Sequence, residues 1–424
     1  MQGKKLNMMY KKVVTHLALL ATLTFFDLAA MNLLMPYDTL IRPEFRFDKM
    51  FEVALYAEHS LNAKGFNECG DRTNVLNIWN KNQDALAMLQ GFPSNSAIGE
   101  LAIQLRSDGA NDDGVRGHYN VCGDLHFDDA AAAFRYHFYD AWWFTAYLPV
   151  CSMKLNNVNW VNQTLDVSSG DQSVRENLTN NFFANVKTLG DGLELGPWHR
   201  TGLGDMIVMI EWLEDFWQMR PMLKKVRVNW RLGTNLPTGV RKDEDKIFTI
   251  PFGFDGAFGV IFGFGMDVFL GDYFKLGGDV QLHHLFGNTR CRRIKTDPTQ
   301  TELLLLQKSN AYLDYGLIQR FNLYVQAHNL KGLSLKFGYQ FWKRGDDVIS
   351  LKTPCFSTAI ANSAIHLEEV TMHQGIVTAV YDWSYLLKPD AKYKPSFEFF
   401  ARLPFNGKNV ALSTTVGAIV ALDF

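Results

Sequence analysis

The chain has 424 residues, of which 47% are hydrophobic and 13% aromatic, so it is long and apolar enough to bury a large core. Its 42 Lys and Arg residues nearly balance 44 Asp and Glu residues, which excludes the strongly basic surface of a nucleic-acid-binding protein. None of the five cysteines forms a Cys-x-x-Cys pair, so the sequence predicts no metal site, and we expect no cofactor.

The first thirty residues have the pattern of a secretory signal. Four lysines in the first twelve residues precede the apolar stretch 13–26, and small residues lead up to Ala30. We therefore predict that residues 1–30 are removed and that 31–424 form a single domain. The alternative is an amphipathic helix at the start of the mature chain. No later run of about 18 apolar residues occurs, so no membrane-spanning helix is expected.

The stretch 258–271 shows the pattern that dominates the rest of the chain. Large apolar residues occupy every second position from Phe258 to Leu270, whereas glycines and Asp267 stand between them. A helix would group its apolar residues at i, i+3, i+4 and i+7. Strict period two instead predicts a strand with one apolar face and one mixed face.

The same alternation predicts about twelve strands along the chain. They cover residues 43–59, 117–138, 142–160, 203–217, 222–236, 257–271, 273–287, 310–328, 332–345, 368–385, 394–404 and 409–424. The connections between them are long and short in turn, and only the last one, 405–409, is short where a long loop is due. The ten residues or so before the first predicted strand are too few for a plug domain.

Loops sorted by length in this way indicate a barrel. An outer-membrane barrel has long external loops, short periplasmic turns and an even number of strands, whereas a soluble β-sandwich has no reason to sort its loops. We predict an all-β fold, a transmembrane antiparallel up-and-down β-barrel of about twelve strands. Its long extracellular loops should carry short helices, in 74–92 and 173–189. Phe262 and its neighbours two residues away should face lipid, and Gly263 the lumen.

The tryptophans fit this arrangement as two aromatic girdles, although simple core packing is the alternative. Four lie near predicted periplasmic turns and two near the outer ends of strands: Trp142, Trp143, Trp217 and Trp383, then Trp160 and Trp342.

The end of the chain carries a resemblance. Apolar residues alternate from Val416 to a terminal aromatic, Phe424. The chain resembles Gram-negative outer-membrane β-barrel proteins, and its end resembles the terminal-Phe strand that the outer-membrane assembly machinery recognises. More loosely, 202–212 and 228–239 are similar to porin-like transporters of the aromatic-degradation and long-chain fatty-acid type. The resemblance implies a place in the outer membrane, in contact with its lipid.

The predicted lumen face mixes both signs of charge. Pore-lining candidates are Lys225, Arg227, Asn229, Arg231, Asp267, Asp279, Arg320, Lys336 and Glu398. Such charges either line a water-filled path and set its ion preference, or pair across a closed barrel. We predict a channel or transporter that passes small solutes through the lumen. The alternative is a structural or adhesive barrel with a plugged lumen, and both a single pore and a homo-oligomer remain open.

A barrel hydrolase is the third possibility, and it would need a Ser/His or Asp/His constellation. His283 and His284 are adjacent on a predicted strand, so they point to opposite faces and cannot share one role. Asp128, Asp129 and His126 form no recognised lipase or protease motif. We therefore predict that the protein is not an enzyme.

Overall fold

The computed structural model describes residues 29–30, 34–105, 114–164, 168–218, 220–387 and 391–424. The predicted signal peptide lies almost wholly outside these residues. Within them, twelve long antiparallel strands pair in chain order, and the last also pairs with the first, so the sheet closes into an up-and-down barrel. The predicted fold class is confirmed. None of the described helices is long and apolar enough to cross a membrane.

The barrel strands lie close to their predicted positions. Strands β1 to β4 are Phe51–Phe66, His118–Tyr139, Trp142–Asn162 and Met206–Trp217. Strands β5 to β8 are Leu223–Leu236, Gly259–Leu270, Phe274–Leu285 and Ile318–Leu330. Strands β9 to β12 are Leu333–Arg344, Val370–Asp382, Lys394–Lys408 and Val410–Asp423.

Alternation along β6 separates the outside of the barrel from its lumen. Phe262 is 49% exposed on the outward face and pairs with Leu232 and Leu282. The next residue, Gly263, points inward opposite the buried Arg231. An outward belt of large apolar side chains, one strand after another, has the composition of a lipid-facing surface.

The two ends of the barrel differ, as predicted. At the short-turn end, Lys331 and Gly332 join β8 to β9 with φ angles of 55° and 85°. Positive φ at both central residues is the requirement of a type I′ hairpin turn, whose twist matches that of the flanking strands. The chain also enters β1 and leaves β12 at this end. The long loops gather at the opposite end.

The long loops fold into shorter elements over the barrel mouth. Helices are Ala97–Gln104, Ser169–Val174, Phe182–Leu189 and Thr358–Ala361, with a π-helical turn at Arg175–Thr179. Single 3-10 turns are Val75–Asn77, Ala87–Leu89, Ile365–Leu367 and, at the short-turn end, Trp383–Leu386. Short strands are Ala29–Ala30, Arg72–Thr73, Gln83–Asp84, Trp198–Leu203, Asn288–Arg293, Lys308–Asp314 and Val348–Leu351. The helix prediction is thus largely right for 173–189, but 74–92 holds only 3-10 turns.

The first strand begins eight residues later than predicted. In 43–50, Phe45 and Phe47 alternate with charged residues and so imitate a strand. Phe45 instead packs edge-on against Trp143 inside the barrel, with ring centroids 4.9 Å apart. The segment before β1 is therefore longer than predicted and enters the lumen.

The predicted strand 310–328 is also broken. Residues Lys308–Asp314 join a three-stranded sheet outside the barrel, and β8 starts only at Ile318. The residues between them reset the alternation, so Leu313 and Tyr315 are buried rather than facing lipid.

The tryptophan girdle is correct only in part. Trp217 is 73% exposed and Trp383 45% exposed at the short-turn end. Trp143 is 2% exposed and points into the lumen, because it follows Trp142 on β3 and neighbours in a strand face opposite sides. Trp342 also points inward, where it lines a cavity.

Candidate functional site

Residues 34–50, here called the plug, run through the lumen towards the short-turn end of the barrel. Leu40 and Ile41 are fully buried and share an apolar cluster with Tyr147 of β3 and Ile376 of β10. A Cβ atom at Gly338 of β9 would lie 2.8 Å from Leu40, so the wall needs a glycine there for the plug to approach. The plug thus touches the barrel wall on several sides.

Asp38 fixes the upper part of the plug to β8 and β9. Its carboxylate lies 3.3 Å from the Arg320 guanidinium and accepts hydrogen bonds from Asn322 Nδ2 at 3.1 Å and Gln340 Nε2 at 2.5 Å. Nearby, Lys336 Nζ donates to the Leu40 carbonyl oxygen at 3.1 Å. A buried charge needs such partners, so the contacts hold this segment in one position.

Further ion pairs anchor the plug to other strands. Arg42 Nη1 lies 2.5 Å from Glu211 Oε2 on β4, and both side chains are almost completely buried. Glu44 accepts from Lys275 Nζ on β7 at 2.5 Å.

Arg46 lies at the short-turn end, where it reaches Asp423 Oδ2 of β12 at 2.7 Å. The anchors of the plug therefore come from around the whole barrel.

The nine pore-lining candidates all lie on inward-facing positions: Lys225, Arg227, Asn229, Arg231, Asp267, Asp279, Arg320, Lys336 and Glu398. Eight are buried, and Lys225 is half-buried.

Most of these candidates form hydrogen bonds or ion pairs with other side chains of the lumen. Arg231 Nη2 donates to Asp279 Oδ2 at 2.5 Å with both groups buried, and Arg227 Nε donates to Asp215 Oδ1 at 2.6 Å. Tyr324 Oη donates to Asp267. Charges paired in this way make a packed wall rather than free rows of opposite sign.

Above the plug lies a cavity of about 350 Å³, here called the chamber. Plug residues Leu34, Met35 and Tyr37 form its floor. Its wall comes from barrel strands and its roof from the long loops. The wall and roof side chains are mainly apolar: Leu125, Phe127, Cys151, Met153, Ile207 and Trp342 from the barrel, and Trp79, Leu193, Ile247, Phe248, Phe252, Leu303 and Leu367 from the loops.

Apart from Asp205, the charged side chains that line the chamber pair with described groups of opposite charge. Arg292 Nη1 lies 2.8 Å from Asp255 Oδ2, and Arg344 lies 3.5 Å from Asp347. Arg293 Nη1 donates to two loop carbonyls, at 2.9 and 3.2 Å. Asp205 lines the chamber without a described ion pair and accepts hydrogen bonds from the Gly239 and Phe254 amides at 2.8 and 2.7 Å. A charged solute would therefore find few unpaired counter-charges among the described residues, whereas a neutral solute would leave the existing pairs intact.

One polar contact ties two roof loops together. Glu302 is fully buried, and its Oε2 lies 2.5 Å from His366 Nδ1, while its Oε1 accepts from the Ile365 amide at 2.9 Å. Burial alone would raise the pKa of the Glu302 carboxyl, but the adjacent His366 and Lys295 lower it, and the net direction is downward. The carboxylate form thus holds this part of the roof.

The chain was compared with known proteins. No protein-family model matches it, and no curated protein matches it. An outer membrane channel from Pseudomonas putida F1 is similar at 10% identity and a TM-score of 0.49, over 92% of this chain and 100% of that one. The monoaromatic hydrocarbon channel CymD has 9% identity and a TM-score of 0.31, over 88% of each chain.

The P. putida toluene transporter TodX has 9% identity and a TM-score of 0.30, over 88% of this chain and 90% of that one. With TM-scores below 0.5, these likenesses carry nothing about function. What this barrel does must be inferred from its own chamber and plug.

Proposed function

We propose that the protein is an outer-membrane channel that passes small, uncharged, largely apolar solutes through its lumen. The chamber supports the proposal most directly: small-molecule sites are concave, mostly apolar and roughly 300–1,000 Å³ in volume, and this one holds about 350 Å³. The pairing of most of its charged neighbours favours neutral solutes. The nine inward-facing candidates would then line the lower path, beside the plug.

The same proposal includes the surroundings of the barrel. The outward apolar belt suits outer-membrane lipid, and export would use residues 1–30 as a signal peptide. Phe424 would present the last strand to the assembly machinery. The proposal is compatible with one pore per chain or with a homo-oligomer.

Filling the chamber tests the proposal. Ile207 is buried and lines the chamber, so Ile207→Trp should weaken binding of a neutral aromatic such as 2-naphthol by about tenfold, since overpacking costs about 1–3 kcal/mol. Ile210→Trp is the matched control, because Ile210 lies on the same strand but is 45% exposed on the outward face. Equilibrium dialysis with the detergent-solubilised protein measures both.

Planar-bilayer recording then separates a channel from a binding protein. We expect discrete current steps, and uptake of 2-naphthol by cells that carry the protein in place of their own porins. Equal 2-naphthol binding by the Ile207 and Ile210 variants, or tighter binding of the charged analogue 2-naphthoate, would contradict the choice of solute.

The second candidate function is a structural or adhesive barrel. The plug favours it, because buried ion pairs such as Arg42 with Glu211 hold the lower lumen filled. A protein that folds in bilayers but stays electrically silent, with or without the plug, would support this alternative.

A further inference from the structure

The outward face of β2, β3 and strand Trp198–Leu203 changes from apolar to polar within one row of residues, whereas β1 carries one further exposed apolar residue, Leu61. The last apolar row that these three strands share with β1 is Ala57, Ala130, Val150 and Leu203. The next row towards the long loops is His59, Asp128, Ser152 and Thr201. Two residues of a strand span about 7 Å, so the boundary is sharp on the scale of a lipid headgroup.

One row further out, the strand register places three basic side chains next to each other. His126 pairs with Lys154, and Lys154 pairs with His199. His199 Nε2 lies 3.1 Å from Ser152 Oγ and 3.2 Å from Thr201 Oγ1. Hydroxyl, imidazole and ammonium groups from three neighbouring strands therefore converge on one outward patch.

The carboxylates of this patch already have partners. Asp128 Oδ1 lies 2.5 Å from His59 Nδ1, and Asp124 Oδ2 accepts from Asn157 Nδ2 at 2.8 Å. Among the described residues no carboxylate lies within salt-bridge distance of Lys154. Its ammonium is thus available to an anion from outside the protein.

We propose that this patch binds the headgroup phosphate of an anionic lipid in the outer leaflet. The patch is continuous with the apolar belt, so the acyl chains of the lipid would lie over Val150 and Leu203 while its phosphate meets Lys154. Phosphate accepts strong hydrogen bonds from ammonium and hydroxyl donors. This inference rests on the proposed membrane location, but not on the barrel being a channel.

Native mass spectrometry of the detergent-solubilised full chain, with diphosphoryl lipid A as probe, tests the site. Lys154→Gln should retain about fivefold less lipid A, the effect of one basic side chain at an anionic lipid surface. Lys154→Arg should retain as much lipid A as the wild type. Lys224→Gln is the matched control, since Lys224 lies at the opposite end of the barrel on β5, 3.6 Å from Asp272.

Lipid A without phosphates should bind the wild type and Lys154→Gln equally, and excess inorganic phosphate should not displace the lipid. An equal loss of bound lipid A in the Lys154→Gln and Lys224→Gln variants would overturn the proposal. Equal binding of diphosphoryl lipid A by the wild type and Lys154→Gln would also overturn it. Conductance recorded on the same variants is a separate readout. A silent barrel that still shows Lys154-dependent retention would refute the channel and leave the lipid site standing.

Discussion

Reversing the charge of Arg42 should release the plug. Arg42 Nη1 and Glu211 Oε2 are 2.5 Å apart, and the two side chains are only 6% and 2% exposed, respectively. Water therefore screens this ion pair poorly. Arg42→Glu would place two carboxylates in this space and leave Glu211 with one described partner, the Thr145 hydroxyl at 2.8 Å. Breaking a buried pair costs about 3–5 kcal/mol, which shifts the equilibrium between seated and released plug by about a hundredfold or more.

Single-channel recording in planar bilayers is the assay. Arg42→Glu should raise the fraction of time spent in conducting states, while heat-modifiable migration on gels shows that the barrel itself is folded. The double variant Arg42→Glu with Glu211→Arg restores an ion pair in the opposite sense and should return the current most of the way to the wild-type level. Lys49→Ala, which removes two contacts to carbonyl oxygens at the short-turn end, should change little.

Two results would refute this reasoning. A folded Arg42→Glu protein with wild-type current would mean that the plug does not limit the path. A double variant as conductive as the single one would mean that the ion pair is not what seats the plug.

Three further predictions concern stability. Gly263→Ala should lower the free energy of unfolding in lipid vesicles by about 1–3 kcal/mol, because the added Cβ would lie 2.5 Å from Arg231 Nε. Gly278→Ala is the control and should leave this free energy nearly unchanged, because its added Cβ would lie no closer than 3.4 Å to a neighbouring atom. Phe262→Arg, on the outward face, should cost about 2–4 kcal/mol in the same vesicle assay, and an unchanged midpoint would mean that this face does not meet lipid. The folded-state pKa of Glu302 lies below its unfolded value of about 4.3, so its contribution is complete above that pH and is lost only as the pH falls through the lower, folded value. The protection of the Ile365 amide against hydrogen exchange, relative to the intrinsic rate at each pH, should therefore stay high at pH 5 and fall below about pH 4. A loss of protection already between about pH 7 and 5 would contradict this assignment.

The barrel strands could be predicted because one simple rule holds along each of them. An outward residue must be apolar, so period two persists through segments such as β6 and gives their faces and approximate ends. The same rule misleads at 43–50, where Phe45 and Phe47 alternate with charges for another reason. Phe45 and Phe47 face the wall of the lumen instead of the outside of the barrel. Nothing in the local sequence distinguishes an apolar residue that faces this wall from one that faces outward.

The partners inside the lumen could not be predicted from the sequence. The period-two alternation places Arg231 and Asp279 on the inner face. Which charged side chains form ion pairs, however, depends on strand register and on the plug. Arg42 and Glu211 are 169 residues apart, and Lys275 and Glu44 are 231 apart. Such pairs leave no periodic signal, which is why the plug's own charges were not among the pore-lining candidates.

The chamber left a weak signal that was missed. Apolar runs at 247–254 and 303–306 lie in long loops, where exposed apolar residues would be unfavourable. In the structure both runs are largely buried and line the chamber. An apolar run inside a long loop of a barrel therefore indicates a loop that folds back over the lumen.

Chamber and plug together divide the lumen into two physically different halves. A neutral solute would fill the upper half without displacing any described ion pair, because most of the charges there are already paired. It cannot continue while the plug is seated, since Leu40 and Ile41 are packed against the wall on more than one side. Yet Leu34 to Tyr37 belong to the same segment and form the chamber floor. If the barrel passes solutes as proposed, the ion pairs of the plug rather than the apolar wall should limit passage, and mutations at Arg42 should change the rate of transport far more than mutations that only widen the chamber.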